Sequence, residues 1–140
     1  MTNAFPEVTG NRLGPWLDDT LDNVPHARFA VLGTMDGLLM ARSLAIDTDS
    51  ADKLTAAATG SVSLARAQAR DMQLGPWVQS ISEFDGHYLV MVSAGANAFL
   101  AAVAGKDVDM GVLSFALQTL VSRLGSELDS PSRTDTVPAT

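Results

Sequence analysis

The chain has 140 residues, 46% of them hydrophobic and 18% charged, with a formal net charge of −7 and no cysteine. That length and balance suit one domain with a single hydrophobic core and exclude general disorder, while acidity without any Lys/Arg cluster argues against nucleic acid and anionic lipid as partners. Lack of cysteine excludes disulfides, thiolate zinc sites and a cysteine nucleophile. With no signal-peptide pattern in Met1–Val8 and no stretch near the roughly 18 apolar residues of a membrane span, it points to a cytoplasmic protein with no membrane insertion.

Residues 1–12, with Pro6 and Gly10 among polar neighbours, read as a flexible lead, and the domain runs over 13–128. A short first helix is expected from Pro15, which suits a first helical position. Asp18 and Asp19 favour its start, and Leu17, Leu21 and Val24 recur at helical spacing before Pro25. Phe29, Ala30, Val31 and Leu32 then form an apolar run within a strand over Ala27–Thr34. Met35-Asp36-Gly37 turns it into a second strand over Leu38–Leu44.

The segment Asp49–Met72 reads as a long helix, with Asp49 as cap, Asp52 in the first turn and Gly75-Pro76 beyond its end. Leu54, Ala58, Val62, Ala65, Ala69 and Met72 share a face suited to packing on a sheet. Ala56, Ala57, Gly60, Leu64 and Ala67 make a second apolar side, leaving a narrow polar strip of Asp52, Thr55, Thr59, Ser63, Arg66 and Arg70. One sheet cannot cover both sides. Small residues permit close backbone approach, so the second side is expected to meet a symmetric copy of itself.

A three-stranded meander follows: Trp77–Phe84, the Asp85-Gly86 turn, His87–Ser93, the Gly95-Ala96-Asn97 turn and Ala98–Ala104. The last two of these strands do not alternate apolar with polar, which calls for helices on both faces of the sheet. The final helix is expected over Val108–Leu128, capped by Asp107 or Asp109. Its stripe is Val112, Leu113, Ala116, Leu117, Leu120, Val121, Leu124 and Leu128; residues 129–140 read as a disordered tail.

Motifs for chemistry are fragments. Ser50-Ala51-Asp52-Lys53 has the Ser-x-x-Lys spacing without its companion motifs, and Gly60-Ser61-Val62-Ser63-Leu64 lacks the second glycine of a nucleophile elbow. Asp47, Asp49 and Asp52 lack the glycine and terminal glutamate of a calcium loop, and Gly105-Lys106-Asp107 lacks most of a phosphate loop. His26 and His87 have no carboxylate at relay spacing. The sequence therefore assigns no catalytic, cofactor-binding or metal-binding residue, and the chain reads as no enzyme. Trp77, opening a strand, is the better interface candidate of the two tryptophans.

Trp16-Leu17-Asp18-Asp19, Met35-Asp36-Gly37-Leu38-Leu39, the Leu54–Gly60 stretch, Ser63-Leu64-Ala65-Arg66 and Asp109-Met110-Gly111, in that order, resemble the roadblock/dynein light-chain family. The likeness is greatest to its bacterial branch, found in actinobacterial operons with a sensor kinase and a small Ras-like GTPase. The resemblance implies an α+β, profilin-like sandwich: a five-stranded antiparallel sheet of order 2-1-5-4-3, the middle helix on one face and the terminal helices on the other. It also implies homodimers that pair the middle helices antiparallel and join the third strands edge to edge. Ala56, Ala57, Gly60, Leu64 and Ala67, with Trp77, Gln79 and Ile81, would then line the two-fold seam. The partners it implies are a second copy and a small Ras-like GTPase, held or stimulated to hydrolyse, with a sensor kinase beyond. Arg66 and Arg70 are the candidate partner contacts, although the sequence assigns neither as an arginine finger. Competing readings are a small-molecule sensor, since a covered sheet can enclose a pocket, and a purely structural adaptor.

Overall fold

The computed structural model describes residues 11–129; residues 1–10 and 130–140, which hold most of the expected lead and tail, lie outside the described residues. Eight elements follow one another: α1 (Gly14–Asp22), β1 (Ala27–Thr34), β2 (Leu39–Arg42), α2 (Thr48–Asp71), β3 (Gln79–Glu83), β4 (His87–Ser93), β5 (Ala98–Gly105) and α3 (Met110–Asp129). All five strands form one antiparallel sheet of order β2-β1-β5-β4-β3.

The sheet divides the interior in two, where composition suggested a single core. Ala30, Leu32, Val90, Val92, Leu100, Ala102 and Ala104 point to one side, beneath Leu17 and Leu21 of α1 and Leu113, Leu117, Leu120 and Leu124 of α3. Val31, Met91, Phe99 and Ala101 point to the other, beneath Ala51, Ala58 and Val62 of α2. Strand side chains alternate between faces, so a continuous apolar run such as Phe99–Ala102 feeds both cores at once.

Local chemistry sets the boundaries. Between β1 and β2, Thr34 N donates to Leu38 O at 2.9 Å around Met35-Asp36-Gly37, with Gly37 at φ 90°, a left-handed position that costs glycine nothing. In α1, Pro15 occupies the first turn as expected, but Asp18 does not serve the helix start. Its Oδ1 instead accepts from Leu44 N at 3.0 Å.

Helix α2 begins before the expected Asp49, because the cap is Asp47: its Oδ1 accepts from Ser50 N at 2.7 Å, which places Asp49 inside the first turn. Hydrogen bonds from the backbone and side chain of Ser50 hold the Asp47 carboxyl below its usual 3.8. A carboxyl depressed by folding adds stability above its unfolded pKa and loses it as pH falls through the folded value. Asp47→Ala is therefore expected to lower the thermal midpoint at neutral pH, with the gap to the parent closing as the pH drops below 3.8.

Two residues of α2 sit elsewhere than the wheel implies. Thr55, expected in the polar strip, is fully buried, its hydroxyl satisfied by Ala51 O at 2.8 Å. Met72, expected on the packed face, lies past the helix end and is exposed. Thr55 reaches the sheet at Gly33 of β1, where a Cβ would stand 2.7 Å from Thr55 Cγ2 and 3.0 Å from Phe99 Cζ. The missing side chain at Gly33 is thus what lets helix and strand approach. Helix α3 is capped by Asp109, whose Oδ1 accepts from Val112 N at 3.1 Å, resolving the choice between Asp107 and Asp109.

Candidate functional site

The α2 flank expected to meet a copy points away from the sheet. Ala56, Ala57, Gly60 and Leu64 are exposed, Leu64 at 63%, Ala67 is half-buried, and nothing stands within 4 Å of a Cβ placed on Gly60. Helix α2 rests mainly on β1, β2 and β5 and also reaches Met91 of β4.

The two sheet edges differ. At the β2 edge, Arg42 N donates to Asn11 Oδ1 at 2.8 Å and Leu44 N to Asp18 Oδ1 at 3.0 Å, so side chains occupy backbone donors that a further strand would need. At the other edge, β3 pairs only with β4. The bonds Phe84 N to His87 O and Ser93 N to Val78 O fix the alternation: even-numbered residues bond to β4, and Gln79, Ile81 and Glu83 direct their N–H and C=O groups outward.

The structure does not gather all of the expected interface residues onto one surface. Ile81 and Gln79 lie opposite Val90 and Val92 and so share the face of the α1/α3 core, whereas Ala56, Ala57, Gly60 and Leu64 stand on the α2 side. Trp77 precedes β3 and is half-buried against the α2-side core, with Nε1 donating to Ser80 Oγ at 2.9 Å.

Arg66 and Arg70 line a surface pocket of about 460 Å3, with Ala69, Gly75, Pro76, Trp77 and the β4–β5 turn. Arg66 is pinned there by two backbone carbonyls, Ala96 O at 2.7 Å and Gly95 O at 3.0 Å, while Arg70 is largely exposed beside Asp71. A second pocket of about 310 Å3 opens between α1 and α3, beside the exposed Phe115. Sequence reasoning missed both. The tie to the β4–β5 turn had only a faint signal, glycines at 75 and 95 whose φ angles of 91° and 103° shape the two loops.

Residues that carried motif fragments take structural positions. Lys106 donates to the Glu83 carboxylate and to Phe84 O and stands 4.7 Å from the Tyr88 ring centre, tying the β5–α3 turn to the β3–β4 hairpin; the Glu83 hydrogen bond raises its pKa. His87 Nε2 lies 2.7 Å from Arg28 Nη1, and His26 is an exposed turn residue at φ 74°. Among the described residues no three His, Asp or Glu side chains gather to hold a metal, and no helix is long and apolar enough to cross a membrane.

A family model described as the Roadblock/LC7 domain matches residues 16–104. The crystal structure of a Roadblock/LC7 domain from Streptomyces avermitilis superposes with a TM-score of 0.81 at 33% identity, covering 84% of this chain and 98% of that one. MglB from Myxococcus xanthus superposes with a TM-score of 0.76 at 15% identity over 85% and 96% of the two chains. Profilin II from Acanthamoeba castellanii does so at 0.56 and 16% over 80% and 95%; these last two likenesses show the fold alone. No curated protein matches the sequence. Sheet order, three-helix cover and family match agree: the chain belongs to the Roadblock/LC7 family, in its bacterial branch.

Proposed function

We propose that the chain is a non-catalytic, cytoplasmic, homodimeric protein-binding module that regulates a small Ras-like GTPase, either by stimulating hydrolysis or by holding the GTPase near a sensor kinase. The observation that carries this reading is the pairing of two unsatisfied surfaces: an α2 flank of small and apolar residues facing solvent, and a β3 edge with outward backbone groups. Exposed apolar surface and an open sheet edge are both features that an isologous contact removes. Ala56, Ala57, Gly60, Leu64 and Ala67 would supply the helix seam. Gln79 and Ile81 would supply the strand seam, and Trp77 would stiffen the loop between them.

The test is GTP hydrolysis by a small Ras-like GTPase encoded beside this chain, measured with and without a stoichiometric amount of this protein; the absence of such a gene nearby would count against the reading. A rise of roughly tenfold, about 1.4 kcal/mol of barrier, is the activating result, and binding without a rate change is the scaffolding result. The absence of both binding and acceleration would overturn the proposal.

A further inference from the structure

The pocket at the C-terminal half of α2 carries a cation that no acidic side chain among the described residues neutralises. Arg66 is held by Gly95 O, Ala96 O and the Trp77 ring, whose centre lies 5.9 Å from the guanidinium carbon; all three partners are uncharged. A guanidinium has five N–H donors, and the two carbonyl bonds use two of them. The side chain is thus fixed in place with donors to spare, and its ordering cost is met before any ligand arrives. Arg70, one turn on, is 73% exposed and reaches only Asp71 at 3.5 Å, an ion pair too solvated to cancel its charge. Ala69, Gly75, Pro76 and Trp77 add an uncharged wall.

We propose that this pocket receives an acidic side chain of a partner protein together with the apolar residue beside it. Charge complementarity decides the class: a chain of net charge −7 repels acidic segments over most of its surface, and here two arginines stand together. A doubly charged phosphate would face the carbonyl oxygens that hold Arg66. A carboxylate carries half that charge, is planar, and can take two parallel N–H bonds from a guanidinium held on its other side. The neighbouring apolar residue rests on the Pro76 and Trp77 wall. At 100° per residue, Arg66 is turned roughly 120° or more from Ala57, Gly60 and Leu64, though Ala56 and Ala67 lie within about 100° of it, so the pocket borders the helix seam on one side. The inference rests on the reading of the chain as a protein-binding module, but not on the dimer or on a GTPase.

The full chain is titrated with the dipeptide N-acetyl-Asp-Leu-amide and followed by proton–nitrogen NMR. Its reporter is the Trp77 indole N–H, assigned by its loss in Trp77→Phe. A saturable shift of that signal and of the Gly95 and Ala96 amides is expected, weakened by added salt and about tenfold weaker for N-acetyl-Asn-Leu-amide. Arg66→Met should abolish it, and Arg70→Gln should weaken it about threefold. Equal binding of the asparagine peptide, no saturable shift, or indifference to Arg70→Gln would each overturn the proposal. These readouts decide it even where Arg66→Met fails to fold. Displacement by inorganic phosphate at the peptide's own concentration would reveal a plain anion site and overturn it too. No GTPase is present, so failure here and failure of the hydrolysis test are separate results.

Discussion

Leu64→Asp is expected to leave a folded chain that light scattering reports as a single copy, with the parent expected as a pair. The residue is 63% exposed on α2 and supports neither core cluster, so the substitution costs the isolated fold little. Across a two-fold seam the change appears twice, bringing two carboxylates into a closed apolar contact. That costs at least about 3 kcal/mol, more than a hundredfold in dissociation constant. Gly60→Glu should act alike, because nothing in the single chain occupies the space beside it. The strand seam has its own check: Ile81 is the middle residue of the β3 edge, and the chain has no cysteine, so Ile81→Cys under mild oxidation should yield a cross-linked pair. A parent that runs as one copy, or a Leu64→Asp variant that still pairs, would remove the helix seam.

Gly33→Val is expected to destabilise the fold itself, by about 3 kcal/mol in chemical denaturation, through overpacking between β1 and α2. The space is absent before the extra methyls are counted: the first added carbon already meets Thr55 Cγ2 at 2.7 Å and Phe99 Cζ at 3.0 Å. Thr55 is wholly buried in the middle of α2, so relief requires shifting the helix off the sheet. Adding Thr55→Ala to Gly33→Val should recover about 1 kcal/mol, a coupling a double-mutant cycle reads directly. Additive losses would show that the two side chains do not compete for one space.

Much of this architecture was legible because burial imposes a period. The strands Ala27–Thr34 and His87–Ser93 stand where their apolar runs and turn residues put them, and the unalternating β5 called for cover on both faces. Helix ends were harder to read. Asp47 and Asp49 both offer a carboxylate near the start of α2, and only backbone geometry selects Asp47. Thr55 fell on the wrong side because a wheel counts a hydroxyl as polar, whereas in a helix that hydroxyl can bond the carbonyl four residues back and leave its methyl to pack. Gly33 was the neglected clue, a glycine inside an apolar strand that signals close approach from the layer above. For the arginine pocket, the bonds from Arg66 to residues 95 and 96 join positions about thirty apart, which no local pattern encodes.

The stoppering of β2 by Asn11 and Asp18 bears on how far association through strands can run. A subunit with two bare margins could stack without end into a filament. With one margin plugged, a subunit that met a twin through the other would exhaust its bonding there, and a continuous sheet built that way would stop at ten strands, twice the five of one chain.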